Sequence, residues 1–257
     1  MLEYRIIPSL LLSNGGLVKT TKFKNPNYVG DPINVVKIFN AKLADELVLL
    51  DIGVSKKNQP PNFKLLNRIA KEAFMPMGYG GGIKKISEIA KIFRLGYEKV
   101  IINNHALTNP EFITEAANNF GSQSIVVGID VKKDFLGRYF VYDHVKKKRV
   151  KLTPVELAKK AEMLGAGELI IYSVDNDGVM KGYDLSLIEI INKSVDIPVV
   201  ALGGAGSVED LIEVLSVGNS VAAGAGSIFI YRMPHKAVLI SYPDRRVIKE
   251  KMEIYSD

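Results

Sequence analysis

Short apolar, β-branched runs alternate with longer amphipathic stretches through nearly the whole chain. The runs predict strands at residues 5–11, 46–51, 75–80, 98–103, 124–130, 168–173, 198–202 and 220–224. Unbroken runs such as Val100-Ile101-Ile102 and Ile125-Val126-Val127 suit strands buried on both faces, as in parallel sheets. Helix starts are marked between them. Asp31-Pro32 offers an N-cap followed by proline at the first helical position, and Thr153-Pro154-Val155-Glu156 reads as a capping box. Asn109-Pro110 and Ser207-Val208-Glu209-Asp210 repeat that logic, while Gly96, Gly165 and Gly218 stand where helices should stop. Strands alternating with helices leave two architectures, a doubly wound sheet or a barrel.

An internal repeat separates them. Pro76 matches Pro198, Gly81 matches Gly203, Gly82 matches Gly204 and Gly96 matches Gly218, all at an offset of 122 (203 − 81). Ala44-Asp45-Glu46-Leu47 matches Ala166-Gly167-Glu168-Leu169 at the same offset. Each half carries four strand–helix units with two open edges, and two such halves close on each other. The expected fold is an α/β (β/α)8 TIM barrel in one domain spanning residues 1–257. Its half-barrels lie at about 1–120 and 121–230, with a divergent segment at 231–257. In that segment Pro234 and Pro243 oppose one long helix; residues 237–242 read as an added strand and 244–255 as a helix.

The composition narrows the function classes. No cysteine is present, which fits a reducing compartment, and a cytoplasmic location is expected. No run reaches the roughly 18–20 apolar residues that a membrane span needs, and the first twelve residues read as a strand rather than a signal peptide. The net charge of +6 is concentrated at Lys146-Lys147-Lys148-Arg149 and Lys151, read as a solvated hairpin tip or as a surface attracting anions. No nucleic-acid-binding motif accompanies it, so no nucleic-acid partner is expected. His105, His144 and His235 lack metal-ligand spacing, and neither a metal nor a cofactor is expected.

In such barrels the reactive face lies where strands end. Gly81 and Gly82, with Asn103 and Asn104, follow strands 3 and 4; Gly203 and Gly204, with Gly226 and Ser227, follow strands 7 and 8. Glycines let backbone amides approach an anion closely. Two such clusters at repeat-related places suggest a ligand with two anionic groups; ordinary tight turns are the alternative reading.

Taken together, Arg5-Ile6-Ile7-Pro8, Gly30-Asp31-Pro32, Ala44-Asp45-Glu46-Leu47, Gly80-Gly81-Gly82-Ile83, Gly121-Ser122-Gln123, Asp175-Asn176-Asp177-Gly178, Gly182-Tyr183-Asp184 and Gly203-Gly204-Ala205-Gly206-Ser207 resemble the imidazole glycerol phosphate synthase cyclase subunit (HisF) family. The resemblance runs from residue 1 to about 229. It implies a glutaminase partner at the N-terminal barrel face and ammonia crossing the barrel to a phosphorylated substrate. It places an ammonia gate at Arg5, Glu46, Lys99 and Glu168. Lys19, Asp51, Asp177 and Gly178 join the two glycine clusters as substrate-binding positions, Asp177 having an Asx-turn as its alternative and Asp51 a loop-supporting role.

The proton-transfer machinery departs from the family. Its chemistry uses two aspartates, ending strands 1 and 5, because protons leave and arrive at different atoms. Asp130 is kept as the tentative catalytic residue, but Leu11 stands in the partner's place. The ending resembles a side branch tied to acetamidino modification of surface sugars in lipopolysaccharide. There the barrel would supply ammonia to an ATP-dependent sugar amidotransferase acting on a nucleotide sugar. A genuine cyclase–lyase of histidine biosynthesis and a non-catalytic scaffold activating the glutaminase remain as alternatives. The delivery reading requires an open axial passage.

Overall fold

The computed structural model describes residues 4–218 and 220–256. Eight parallel strands form the barrel: β1 (Arg5–Ser13), β2 (Leu47–Asp51), β3 (Met77–Gly80), β4 (Lys99–Ile102), β5 (Ile125–Lys133), β6 (Glu168–Ser173), β7 (Val199–Leu202) and β8 (Ala222–Ala225). Each pairs with its neighbour, and β8 closes on β1 with Arg5 opposite Ala222 and Pro8 opposite Ala225. All eight predicted strands are present, their limits shifted by up to a few residues.

The connecting helices begin where the side chains dictate. Asp31 accepts hydrogen bonds from the Ile33 and Asn34 amides at 3.0 Å, opening α1 (Pro32–Ala41). Then come α2 (Phe63–Ala70), α3 (Ile86–Arg94) and α4 (Glu111–Phe120). Thr153 and Glu156 form the expected capping box at α5 (Pro154–Met163). After α6 (Leu185–Asn192), Ser207 and Asp210 form another at α7 (Val208–Ser216). Asn109 is the exception: its side chain caps nothing, and Pro110 itself occupies the N-cap of α4. A short helix, Asn104–Thr108, runs directly into that junction and leaves no extended capping residue there. Gly96 and Gly165 take positive φ just past α3 and α5, as helix-terminating glycines do.

Two antiparallel excursions escaped the periodicity. β1 turns back through Gly16–Thr21 and Lys24–Gly30, and β5 through Tyr139–Asp143 and Lys148–Arg149. Both rise from the C-terminal face. The turn Lys22-Phe23 holds both residues at positive φ with no glycine or asparagine to announce it. The basic run 146–149 lies exposed at the second hairpin's turn.

The added strand expected at 237–242 shrinks to Ala237–Val238, paired only with Tyr231–Arg232 in a separate ribbon. Residues beyond it are drawn onto the barrel instead. The Tyr242 hydroxyl donates to Ile6 O at 3.0 Å and accepts from the Asp45 amide at 3.2 Å, while its ring packs on Phe39 and Phe229. The final helix, α8 (Arg245–Ser256), lies against α7.

Inside the barrel, alternation sends every second residue to the axis. Ile7, Val48, Ile101, Val126, Ile170, Val200 and Ala222 meet there, roofed by Tyr172 and Leu202, with Leu50 and Phe23 packed against them. Among the described residues the axis is therefore lined by an apolar layer, so a passage through it would run between hydrocarbon side chains. Seven of the eight strands send side chains there; β3 offers only the inward glycines Gly78 and Gly80, where Ile101 leans to 3.0 Å of the space a Cβ would take. No helix among the described residues is long and apolar enough to cross a membrane.

Candidate functional site

At the N-terminal mouth, Arg5, Glu46, Lys99 and Glu168 form a closed ring of alternating charge. Arg5 Nη1 donates to Glu46 Oε2 at 2.5 Å and its Nη2 to Glu168 Oε2 at 2.7 Å. Lys99 Nζ lies 3.1 Å from Glu46 Oε1 and 3.1 Å from both Glu168 oxygens. The register explains the ring: each residue starts or immediately precedes a barrel strand and points to the axis. Both carboxylates are nearly buried, whereas the cations keep partial contact with water. Burial alone would pull the Arg5 pKa down, but Glu168 and Glu46 outweigh it and leave it raised. Above the ring, the inward-facing Ser9 hydroxyl is buried without a hydrogen-bond partner among the described residues.

At the opposite mouth lies an open cavity of about 930 Å³, counted to its solvent-filled entrance. Leu11, Asp51, Asn103, Asn104, Asp130, Gly81 and Gly82 all line it, so the structure gathers most of the first-half residues singled out in the sequence. Gly81 and Gly82 have φ of 139° and 70°, and a Cβ at Gly81 would lie 2.7 Å from the Asp51 carbonyl. Only glycine fits there. The Gly82 amide donates to Ser55 Oγ at 3.2 Å. Asp51 lines the cavity, and its Oδ1 accepts from the Gly53 amide at 3.1 Å, which supports the loop that follows. Burial raises its pKa despite the amides of Gly53 and Val54, which oppose the rise.

The repeat-related cluster is built differently. Gly203, Gly204, Gly226, Ser227 and Gly178 surround a narrow crevice of about 260 Å³ that also contains Lys19. Lys19 Nζ donates to Ser9 O at 3.3 Å and fills the space a side chain at Gly226 would need. Asp177 does not close an Asx-turn. It accepts from Thr20 Oγ1 at 2.7 Å, from the Phe23 amide at 3.0 Å and from the Tyr172 hydroxyl at 2.8 Å, clamping the first hairpin over the barrel. That clamp holds Phe23 edge-on to Tyr172, ring centroids 4.8 Å apart.

Burial, only partly opposed by Asp177, pushes the Lys19 ammonium down to about 8. Between that value and the ordinary one near 10.5, the unfolded chain binds a proton that the folded chain releases. Stability should therefore rise as pH climbs from about 8 towards 10. Urea midpoints across that range should show the rise in the native chain, and Lys19→Met should flatten it.

The sequence reading missed one residue of this site. His144 follows the Tyr139–Asp143 strand and lines the cavity, with Nδ1 2.7 Å from Asp130 Oδ2. Burial lowers the imidazole pKa, but the hydrogen bond and charge of Asp130 more than reverse this, leaving it raised. Spacing could not reveal the pairing, since 14 residues and a hairpin separate the partners. Of the other histidines, His105 also borders the cavity, its ring edge-on to Phe112, and His235 is exposed. Among the described residues no cluster of three metal-ligating side chains occurs.

Comparison with known proteins agrees with this geometry. The profile of the family described as "Histidine biosynthesis protein" matches residues 5–234. A protein of Pseudomonas aeruginosa named "Putative imidazole glycerol phosphate synthase subunit hisF2" is 50% identical over 244 residues, covering 95% of this chain and 97% of the relative. One of Vibrio vulnificus named "Putative imidazole glycerol phosphate synthase subunit hisF3" is 45% identical over 257 residues, covering 99% and 98%. "Imidazole glycerol phosphate synthase subunit HisF" of Petrotoga mobilis is 44% identical over 232 residues, covering 90% and 92%. With its closed eight-stranded barrel and glycine clusters after strands 3 and 7, this chain belongs to the HisF family of histidine biosynthesis proteins.

Proposed function

We propose that this barrel receives ammonia from a glutaminase subunit docked at its N-terminal face and delivers it to an acceptor at the C-terminal mouth, for acetamidino modification of a surface sugar. The observation that carries the reading is a complete four-charge ring at one mouth and Leu11 in place of a proton-carrying aspartate at the other. Four groups that satisfy one another can part briefly for a small polar molecule. The apolar layer above admits neutral ammonia more readily than ammonium, because burying an unpaired charge costs far more than burying a small neutral dipole. The free hydroxyl of Ser9 offers one hydrogen bond along that path. The glycine clusters suit anionic groups of a phosphorylated acceptor or nucleotide sugar, held in this barrel or in an ATP-dependent amidotransferase beside it.

Asp130 and the names of the relatives favour a second reading, a true cyclase subunit. The two separate in one assay. The chain, its glutaminase and the histidine-pathway bisphosphate are combined with glutamine. Delivery without cyclisation predicts glutamate release that depends on this chain and imidazole formation at least about 100-fold below ordinary cyclase rates, the scale of losing one acid–base group. Ordinary rates would overturn the delivery reading. Glutamate release indifferent to this chain would overturn both it and the scaffold alternative.

A further inference from the structure

The loss of an aspartate at Leu11 leaves Asp130 without the partner its chemistry would use, yet the cavity contains a second proton carrier. We infer that His144 and Asp130 form a proton-exchange dyad, His144 presenting Nε2 to a ligand in the cavity and Asp130 positioning the ring through Nδ1. This goes beyond ammonia delivery and stands without it.

The ring is placed by more than one contact. Asp143, just before it, accepts from the Val145 and Lys146 amides at 2.9 Å and from Asn104 Nδ2 at 3.1 Å. That tight turn is thereby pinned to the loop after β4, next to the first glycine cluster. Phe23 from the other hairpin meets the ring edge-on, centroids 6.5 Å apart. Asp130 ends the inward-facing row of β5 and is itself buried. Its carboxylate selects the tautomer carrying hydrogen on Nδ1. Among the described residues nothing hydrogen-bonds Nε2, and the ring borders the cavity. A histidine kept only for structure would use both nitrogens or face away.

The charges around the ring suit the task. Asp130 and Asp143 favour the imidazolium, while Lys56 from the loop after β2 opposes it. Asp51, His105 and Tyr172 face the same cavity from β2, the short helix after β4, and β6. In the neutral form Nδ1–H donates to Asp130 and the Nε2 lone pair is free. Nε2 takes a proton from an N–H or O–H of the ligand, the carboxylate offsets the imidazolium charge, and the same proton returns to another ligand atom. No proton is gained or lost over the cycle. The ligand class is a phosphorylated molecule short enough to span from the Gly81–Gly82 amides to His144.

The test needs neither glutaminase nor acceptor. The full chain has three histidines, so imidazole resonances assign readily with His144→Gln. Their pH titrations are followed in the native chain and in Asp130→Asn, which keeps the shape and removes the charge. In parallel, diethyl pyrocarbonate forms an N–C bond at free Nε2, ethyl carbonate leaving, and mass spectrometry locates it. The dyad predicts a His144 midpoint above 6.5, a fall of about one pH unit or more in Asp130→Asn, and carbethoxylation of His144 whose pH–rate midpoint moves with it. A midpoint unmoved by Asp130→Asn overturns the pairing. Native His144 that resists the reagent while His235 reacts overturns the free Nε2.

Discussion

Asp177→Ala is expected to lower stability by about 3–5 kcal/mol, one of the largest losses available to a single substitution here. The buried carboxylate accepts three hydrogen bonds, from Thr20, Phe23 and Tyr172. Removing it strands the buried Tyr172 hydroxyl and takes from the Lys19 ammonium the charge that opposes its desolvation. A bond to a charged acceptor is worth about 1.5–3 kcal/mol, and each orphaned buried donor adds its own desolvation cost. The loss should also be local. With the clamp gone, the hairpin 16–30 has little reason to keep Lys22 and Phe23 at positive φ, and limited trypsin digestion should cut at Lys22 or Lys24 long before the barrel unfolds. Asp177→Asn keeps the shape and should lose about half as much. Denaturation midpoints and peptide mapping check both; wild-type resistance at 22–24 in Asp177→Ala would mean that the clamp does not hold the hairpin.

Lys99→Met should produce the other large effect, again about 3–5 kcal/mol. Lys99 is the only cation in the ring touching Glu46 and Glu168 from the side opposite Arg5. Without it two nearly buried carboxylates face one guanidinium, and breaking a buried pair costs more than never having formed it. The double substitution Lys99→Met, Glu46→Gln removes one charge of each sign and should recover a substantial part of the loss. Added salt should change the single variant's deficit little, because buried pairs are weakly screened. Urea unfolding of the two variants in low and high salt checks this. A single variant as stable as the native chain would show that the ring contributes no net stability.

The site was legible in the sequence unevenly, and the reasons are physical. The glycine pairs at 81–82 and 203–204 announced themselves because a positive φ and a blocked Cβ leave no other residue. They could not announce that one cluster opens onto a cavity while Lys19 fills the other, since that depends on where a side chain from the first hairpin comes to rest. The charge ring was legible through the family resemblance, and its members all start or immediately precede strands. His144 was not: its meaning lies in 2.7 Å to Asp130, a distance set by where the Tyr139–Asp143 strand folds back against the end of β5.

By itself the sequence determined the barrel, because strand period, helix caps and a repeat of 122 residues are local signals that all point the same way. It also determined which residues stand at the two mouths, since alternation along a strand assigns every second side chain to the axis. Only the tertiary structure decided which apolar side chains meet around the axis, that Asp177 is spent on a clamp, that Tyr242 ties the last segment to the barrel, and that Asp130 has a histidine for a partner. Each of these joins residues distant along the chain or fills a shared space, and no local pattern encodes a contact whose geometry depends on how separate elements settle against one another.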